Sequence, residues 1–287
     1  MSKTLSLEGA IKKFVSYLRT QNRSSNTIVA YQGDLTQLVN FLKGKVVGLV
    51  EQVTADHIEE FKKYLLKNNY TAKSVSRKLN SIKSFFRFLV EEGILETDFS
   101  RAIKHPKIEN GLPRSLKAIE YRALRDSCRH DKRTLAIVEL MLQTGLRISE
   151  VANLHFSDIK QNEIIIRAYE SHSQREVPLN RSVKQAVDDY LGERCQTKAK
   201  YLFITKNGHQ LLVRNIRSII NRYFEKAGLQ GVKVNDLRNT FIVEQLSAGV
   251  PLDIISKIVG HKRLSTTERY LALVKKPQEQ GVHLKEL

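Results

Sequence analysis

One interruption divides this chain more than any other feature does. Residues 104–115, KHPKIENGLPRS, hold two prolines, a glycine and no apolar period. Proline cannot continue a helix, and it pushes the residue before it out of the helical region. On both sides of this stretch apolar residues return at helical spacing. The chain therefore reads as two folding units, residues 1–107 and 116–287, with 108–115 as the linker between them. A length of 287 residues suits two domains of ordinary size.

The first unit reads as four amphipathic helices. One covers about Leu5 to Thr20. A second starts after Ser24 or Ser25 as N-cap and carries Ile28, Tyr31, Leu35, Leu38, Val39 and Leu42. A third follows Thr54, with Ile58, Phe61, Tyr64 and Leu65 apolar. The fourth carries Val75, Leu79, Ile82, Phe86 and Leu89. After the linker, helical period is expected at Ile119–Cys128, Thr134–Gln143, Val183–Tyr190, Val213–Ala227, Asp236–Ser247 and Leu252–Val259, with a last short helix at Tyr270–Val274. Only Glu163–Ala168 and Arg175–Leu179 are β-rich, and they flank Tyr169–Gln174 as a hairpin. The expected fold class is mainly α: a helical N-terminal domain, then a mixed α+β domain with a small antiparallel sheet.

Charge points to the partner. Lysine and arginine number 48 against 30 acids, a net charge of +18. A surplus of that size calls for a polyanion, most simply nucleic acid. It is concentrated at residues 61–90, which hold eight basic residues and no acid. Lys73, Arg77, Lys78, Lys83 and Arg87 belong to this run and are the candidate phosphate contacts. Other classes fall away. No apolar run reaches the ~18 residues of a membrane span, and Met1 to Ala10 lacks the apolar stretch of a signal peptide, so a cytoplasmic protein is expected. The two cysteines, Cys128 and Cys195, have no metal-ligand spacing, so neither a disulfide framework nor a cysteine-based zinc site is expected.

Chemistry is carried by three words in the second half. Gly145-Leu146-Arg147-Ile148-Ser149-Glu150 places an arginine where a helix ends. Asp236-Leu237-Arg238-Asn239-Thr240 brings a second arginine. Gly260-His261-Lys262 is followed, nine residues after the histidine, by Tyr270. Each is weak alone. In this order, with TGLRISE at 144–150, DLRNTF at 236–241, VGH at 259–261, REVPL at 175–179 and LFIT at 202–205, the chain resembles the tyrosine recombinases, or phage integrase family, in their short Xer-like form. Ser24 to Leu42 resembles the start of that family's DNA-gripping N-terminal domain.

The resemblance implies a SAM-like core-binding domain and a catalytic domain, closing as a C-shaped clamp on double-stranded DNA. It also implies inverted half-sites, a homotetramer on two sites, a C-terminal tail docking on a neighbouring protomer, and no cofactor or metal. Tyr270 would attack a phosphodiester to give a 3′-phosphotyrosyl link and a free 5′-hydroxyl. The chemistry agrees. A phenol is a workable nucleophile and leaving group, so no ATP is required. Arg147 and Arg238, always charged, would hold the charge that gathers on the non-bridging oxygens. His261 would donate a hydrogen bond to one of them. Glu150 would support the first arginine. Arg214 and Arg217 lie on the helix that the family sets against the major groove.

Two positions depart from the family. Its hairpin lysine, general acid to the leaving 5′ oxygen, falls here on Glu170, or on Ser171 with a one-residue shift; no lysine occurs between Lys160 and Lys184. The histidine that opens the second box is Asn235, and the residue after the arginine, often a second histidine, is Asn239. Asparagine donates a hydrogen bond but carries no proton at neutral pH. Three readings stay open: Arg175 or His172 replaces the lysine, Glu170 is held protonated and acts itself, or the protein binds DNA and cleaves weakly. A DNA-binding accessory protein and a type IB topoisomerase are the rival classes. The departures favour resolution or integration of a mobile element; Xer-type chromosome dimer resolution is the alternative.

Overall fold

The computed structural model describes residues 5–109, 111–169 and 172–274. The chain separates into two compact units, Met1–Asn110 and Gly111–Leu287.

Among its described residues the first unit has four α-helices: α1 (Leu7–Thr20), α2 (Ser25–Lys43), α3 (Ala55–Lys67) and α4 (Ala72–Glu91). Each starts on a hydroxyl cap. Ser6, Ser24, Thr54 and Thr71 accept from backbone N–H groups three residues on, satisfying donors that a helix start leaves orphaned. Phe14, Phe61, Phe85 and Phe86 are fully buried, and the Phe14 ring meets Phe85 edge-on at 5.5 Å.

A buried carboxylate ties α2 to α4. Asp34 accepts from Arg77 Nη1 and Nη2 (2.5 and 2.9 Å), Lys78 Nζ (2.9 Å) and Ser81 Oγ (2.8 Å). This corrects the basic-face expectation. Lys78 points inward, with 10% of its side chain exposed, so it holds the fold and is not a phosphate contact. Lys83 is turned away as well, donating to the Ile103 carbonyl at 2.6 Å. Arg77 keeps an exposed side chain while bound to Asp34, and Lys73 and Arg87 are exposed. Removing Asp34 strands the Lys78 charge. Asp34→Ala is expected to cost roughly 3 kcal/mol in a urea melt, and the double change with Lys78→Met to cost clearly less. Equal losses would show that the pair is not coupled.

The second unit comprises α5 (Ala118–Cys128), α6 (Lys132–Thr144), α7 (Ile148–Asn153), β1 (Glu163–Ile166), β2 (Arg175–Pro178), α8 (Arg181–Glu193), α9 (Val213–Lys226), α10 (Val234–Ser247), α11 (Leu252–Val259) and α12 (Leu264–Glu268). β1 and β2 pair antiparallel, from Glu163 opposite Pro178 to Ile166 opposite Arg175. Two short helices escaped the periodicity, α7 and α12, because six and five residues are too few to show a period. Tyr270–Val274 forms a 3-10 turn at Leu271–Leu273 rather than an α-helix.

Two glycines shape the site. α6 ends at Gly145 with φ +64°, and a Cβ there would sit 2.5 Å from the Phe241 ring. α11 ends at Gly260 with φ +66°, where a Cβ would meet the Arg175 guanidinium at 3.1 Å. Both positions need a residue without a side chain.

Candidate active site

The last carbonyls of α11 have no partners inside the helix, and three arginines take them. Arg175 Nε donates to Ile258 O at 2.7 Å. Arg238 Nη2 donates to Val259 O at 2.7 Å, and Arg147 Nη1 reaches the same oxygen at 3.2 Å. Arg147 Nη2 donates to Gly260 O at 2.7 Å. The carbonyl end of a helix favours cations, so the grouping is held by backbone as well as side chains.

Each arginine has a second anchor. Arg238, on α10 and 4% exposed, donates to Gly145 O at 2.5 Å. Arg147 caps α7 and donates to Glu150 Oε1 at 2.9 Å, while its backbone N–H donates to Oε2 at 2.8 Å. Arg175 grips the same carboxylate with both terminal nitrogens, at 2.8 Å each. One glutamate thus faces two arginines and orients both. Burial pushes the Glu150 pKa up, but the Arg175 hydrogen bond and charge outweigh it, with help from Arg147, and the net shift is downward. Burial, and then Arg147, lowers Arg238 to about 9, still a cation at neutral pH.

Among the described residues, three guanidinium groups against one contacting carboxylate leave a net positive cluster. Arg147 spends three of its N–H groups on described residues and Arg238 two, of five each. The remaining donors can fork onto an anion such as a phosphate.

His261 follows Gly260. Its Nδ1 lies 2.8 Å from Thr267 Oγ1, and its ring stacks on Tyr270 with centroids 6.3 Å apart. Burial, then the charges of Arg238, Arg147 and Arg175, push its pKa down to about 4. The imidazole is therefore neutral at pH 7. Unfolded, it binds a proton below about pH 6.5. Between pH 6.5 and about 4 the unfolded chain holds the extra proton, so His261 makes the fold less stable as pH falls through that window. Urea melts at pH 7 and pH 5 should show a smaller acid loss for His261→Gln than for wild type; equal losses would place the sensitivity elsewhere.

Tyr270 is 8% exposed. Burial raises its pKa, and Arg238 opposes the rise. Its hydroxyl donates to Asn239 Oδ1 at 2.8 Å. Arg147, Arg238, His261 and Tyr270, separated by up to 123 residues of sequence, thus gather in one cluster of contacts.

Other expected residues fall elsewhere. Arg175 is neither a surface DNA contact nor a free proton donor: 10% of its side chain is exposed and its nitrogens are bound to Glu150 and Ile258. It braces Glu150 and the end of α11. Asn235 is exposed on α10, and its Nδ2 donates to Asn239 at 3.1 Å. Glu170 and Ser171 lie outside the described residues, as does the tail after Val274. Arg214 and Arg217 are exposed on α9, and Arg217 and Asn235 line one cleft. Sequence reasoning missed Thr267 and Asn239 as partners of the histidine and the tyrosine.

Comparison with known proteins gives the family and the fold. Residues 114–276 match the phage integrase family, and residues 11–93 match the phage integrase N-terminal SAM-like domain. The tyrosine recombinase XerC of Roseiflexus castenholzii is 30% identical over 277 residues, covering 92% of this chain and 88% of the relative. The crystal structure of XerA recombinase aligns at 26% identity and TM-score 0.52, covering 92% of each chain. A lambda integrase tetramer bound to a Holliday junction shares the fold, with TM-score 0.75 at 16% identity, over 91% of this chain and 78% of that one. The chain belongs to the phage integrase family. Within it the protein is a tyrosine recombinase, an enzyme of site-specific DNA recombination. Among the described residues no helix is long and apolar enough to cross a membrane.

Proposed function

We propose that Tyr270 is the nucleophile of DNA strand exchange and that Arg147, Arg238 and His261 hold the phosphate it attacks. The Tyr270 oxygen bonds to phosphorus, the bond to the 5′ oxygen breaks, and the DNA remains attached through its 3′-phosphate. The phenol loses its proton, and the 5′ oxygen gains one. Attack by a second 5′-hydroxyl reverses the step and releases the enzyme. The observation that carries this reading is the set of arginines fixed on the α11 carbonyls beside the stacked His261 and Tyr270 rings. Its test is covalent trapping on a nicked suicide site, from which the short cleaved piece bearing the free 5′-hydroxyl diffuses away.

Both units are proposed to clamp one DNA duplex at inverted half-sites, and four protomers to join two sites. The solved lambda integrase tetramer is a precedent within the fold. The tail after Val274 is proposed to dock on the neighbouring protomer, and Arg214 and Arg217 to face the major groove. For the biological role we favour mobile-element resolution or integration in a bacterial cytoplasm, because Asn235 and Glu170 depart from the usual proton carriers. The second reading, Xer-type dimer resolution, draws on the full-length likeness to XerC.

In the first unit, Lys73 and Arg87 are the exposed cations of α4 that make no ion pair among the described residues. Each phosphate contact contributes roughly 1 to the slope of log affinity against log salt. Lys73→Gln with Arg87→Gln should lower the slope by about 2 and weaken binding to all sequences alike. An unchanged slope would remove α4 from the DNA face.

A further inference from the structure

Asn239 stands one residue after Arg238 on α10 and is 5% exposed. Its side chain is fully engaged. Nδ2 donates to the Arg114 carbonyl at 3.0 Å and to Asp236 Oδ1 at 3.2 Å. Oδ1 accepts from Asn235 Nδ2 at 3.1 Å and from the Tyr270 hydroxyl at 2.8 Å. A carboxamide has two donor hydrogens and two acceptor lone pairs, so all four places are filled. The surroundings also fix its orientation. Flipped, its oxygen would face the Arg114 carbonyl and the Asp236 carboxylate, and its nitrogen would face the Asn235 amide nitrogen.

We propose that Asn239 is a positioning residue for the nucleophile: by accepting the Tyr270 hydroxyl proton in a hydrogen bond, it leaves the oxygen's lone pairs free to meet phosphorus. This rests on the reading of Tyr270 as the nucleophile. A hydroxyl has one hydrogen, and its direction decides where the lone pairs point. The amide neither gains nor loses a proton in the reaction, so its task is orientation. When Tyr270 attacks, the phenol proton passes to solvent and the 5′ oxygen is protonated separately. The Arg114 carbonyl and Asp236 hold Asn239 in turn, so the aim of the tyrosine is set by α10 and the segment that precedes α5.

A merely structural asparagine would predict a different outcome. Misplacing a reacting atom by about 1 Å can cost on the order of 100-fold in rate. Asn239→Leu should therefore cleave a suicide site roughly 100-fold more slowly at saturating DNA, with half-site affinity within about threefold of wild type. Asn239→His, whose imidazole offers one acceptor and one donor, should recover to within about tenfold. The DNA-free protein supplies a second readout, the ¹⁹F resonance of 3-fluorotyrosine placed at position 270. That resonance should move toward the free-tyrosine value in Asn239→Leu and stay near wild type in Asn239→His. The proposal fails if Asn239→Leu cleaves as wild type does, if affinity falls in step with rate, if histidine rescues no better than leucine, or if the resonance does not move. If wild type itself forms no adduct, Tyr270 is not the nucleophile and the proposal falls with that reading. If wild type forms adducts and Asn239→Leu is indifferent, the proposal alone falls.

Discussion

Tyr270→Phe should bind half-site DNA with wild-type affinity and form no covalent adduct, a loss of at least roughly 10⁴-fold in trapped product. The change removes one oxygen and keeps the ring. The stack on His261 and the packing around Tyr270 survive, because neither uses the hydroxyl. What disappears is the phosphorus-bonding atom and one hydrogen bond to Asn239. Burial raises the phenol's pKa, so the hydroxyl stays protonated near neutral pH and its removal changes no charge there. DNA affinity should accordingly be untouched. Adduct at the wild-type level in the phenylalanine variant would place the nucleophile elsewhere and undo the assignment of the whole pocket.

The second large effect concerns the leaving 5′ oxygen. An alkoxide leaves poorly near neutral pH, and general-acid help is typically worth ~10²- to 10⁴-fold. Sulfur in that position leaves unaided. A true proton donor is therefore badly missed on oxygen and barely missed on sulfur. Arg175→Ala should be slowed on both substrates alike, because Arg175 holds Glu150 and the end of α11. Glu170→Ala should be slowed ~10²- to 10⁴-fold on oxygen and nearly normal on the 5′-thio site. Selective rescue of His172→Ala instead would move the role two residues along the hairpin. Selective rescue of Arg175→Ala would overturn its supporting role. With none of the three rescued, the proton comes from outside the hairpin.

The residues of the candidate site were legible because they sit in short words of sequence that resemble the family's. Arg147 follows a glycine that ends a helix, and Tyr270 keeps its interval from His261. What each residue leans on was not legible. Asn239 meets Tyr270 across 31 residues and Arg114 across 125, and no local period records such meetings. Arg175 looked like a surface cation because a strand residue shows its face only once its neighbours are placed. Lys78 misled for a related reason. Helical spacing set the apolar stripe of α4, but the carboxylate that draws Lys78 inward lies 44 residues earlier on α2. The fold class and its longer helices followed from period and caps, and the elements missed were of six residues or fewer.

The three arginines on the end of α11 make the anion pocket and the helix terminus a single thermodynamic object. Any event that frays the last turn of α11 withdraws the carbonyls of Ile258, Val259 and Gly260 from all three guanidinium groups together. Activity should then vanish with heat as one step and not by gradual loosening of separate side chains. Conversely, an anion that seats itself among these arginines tightens the turn beneath it. If the substrate phosphate seats there as proposed, it completes the helix cap from the far side, and the enzyme should be harder to melt with it than without it.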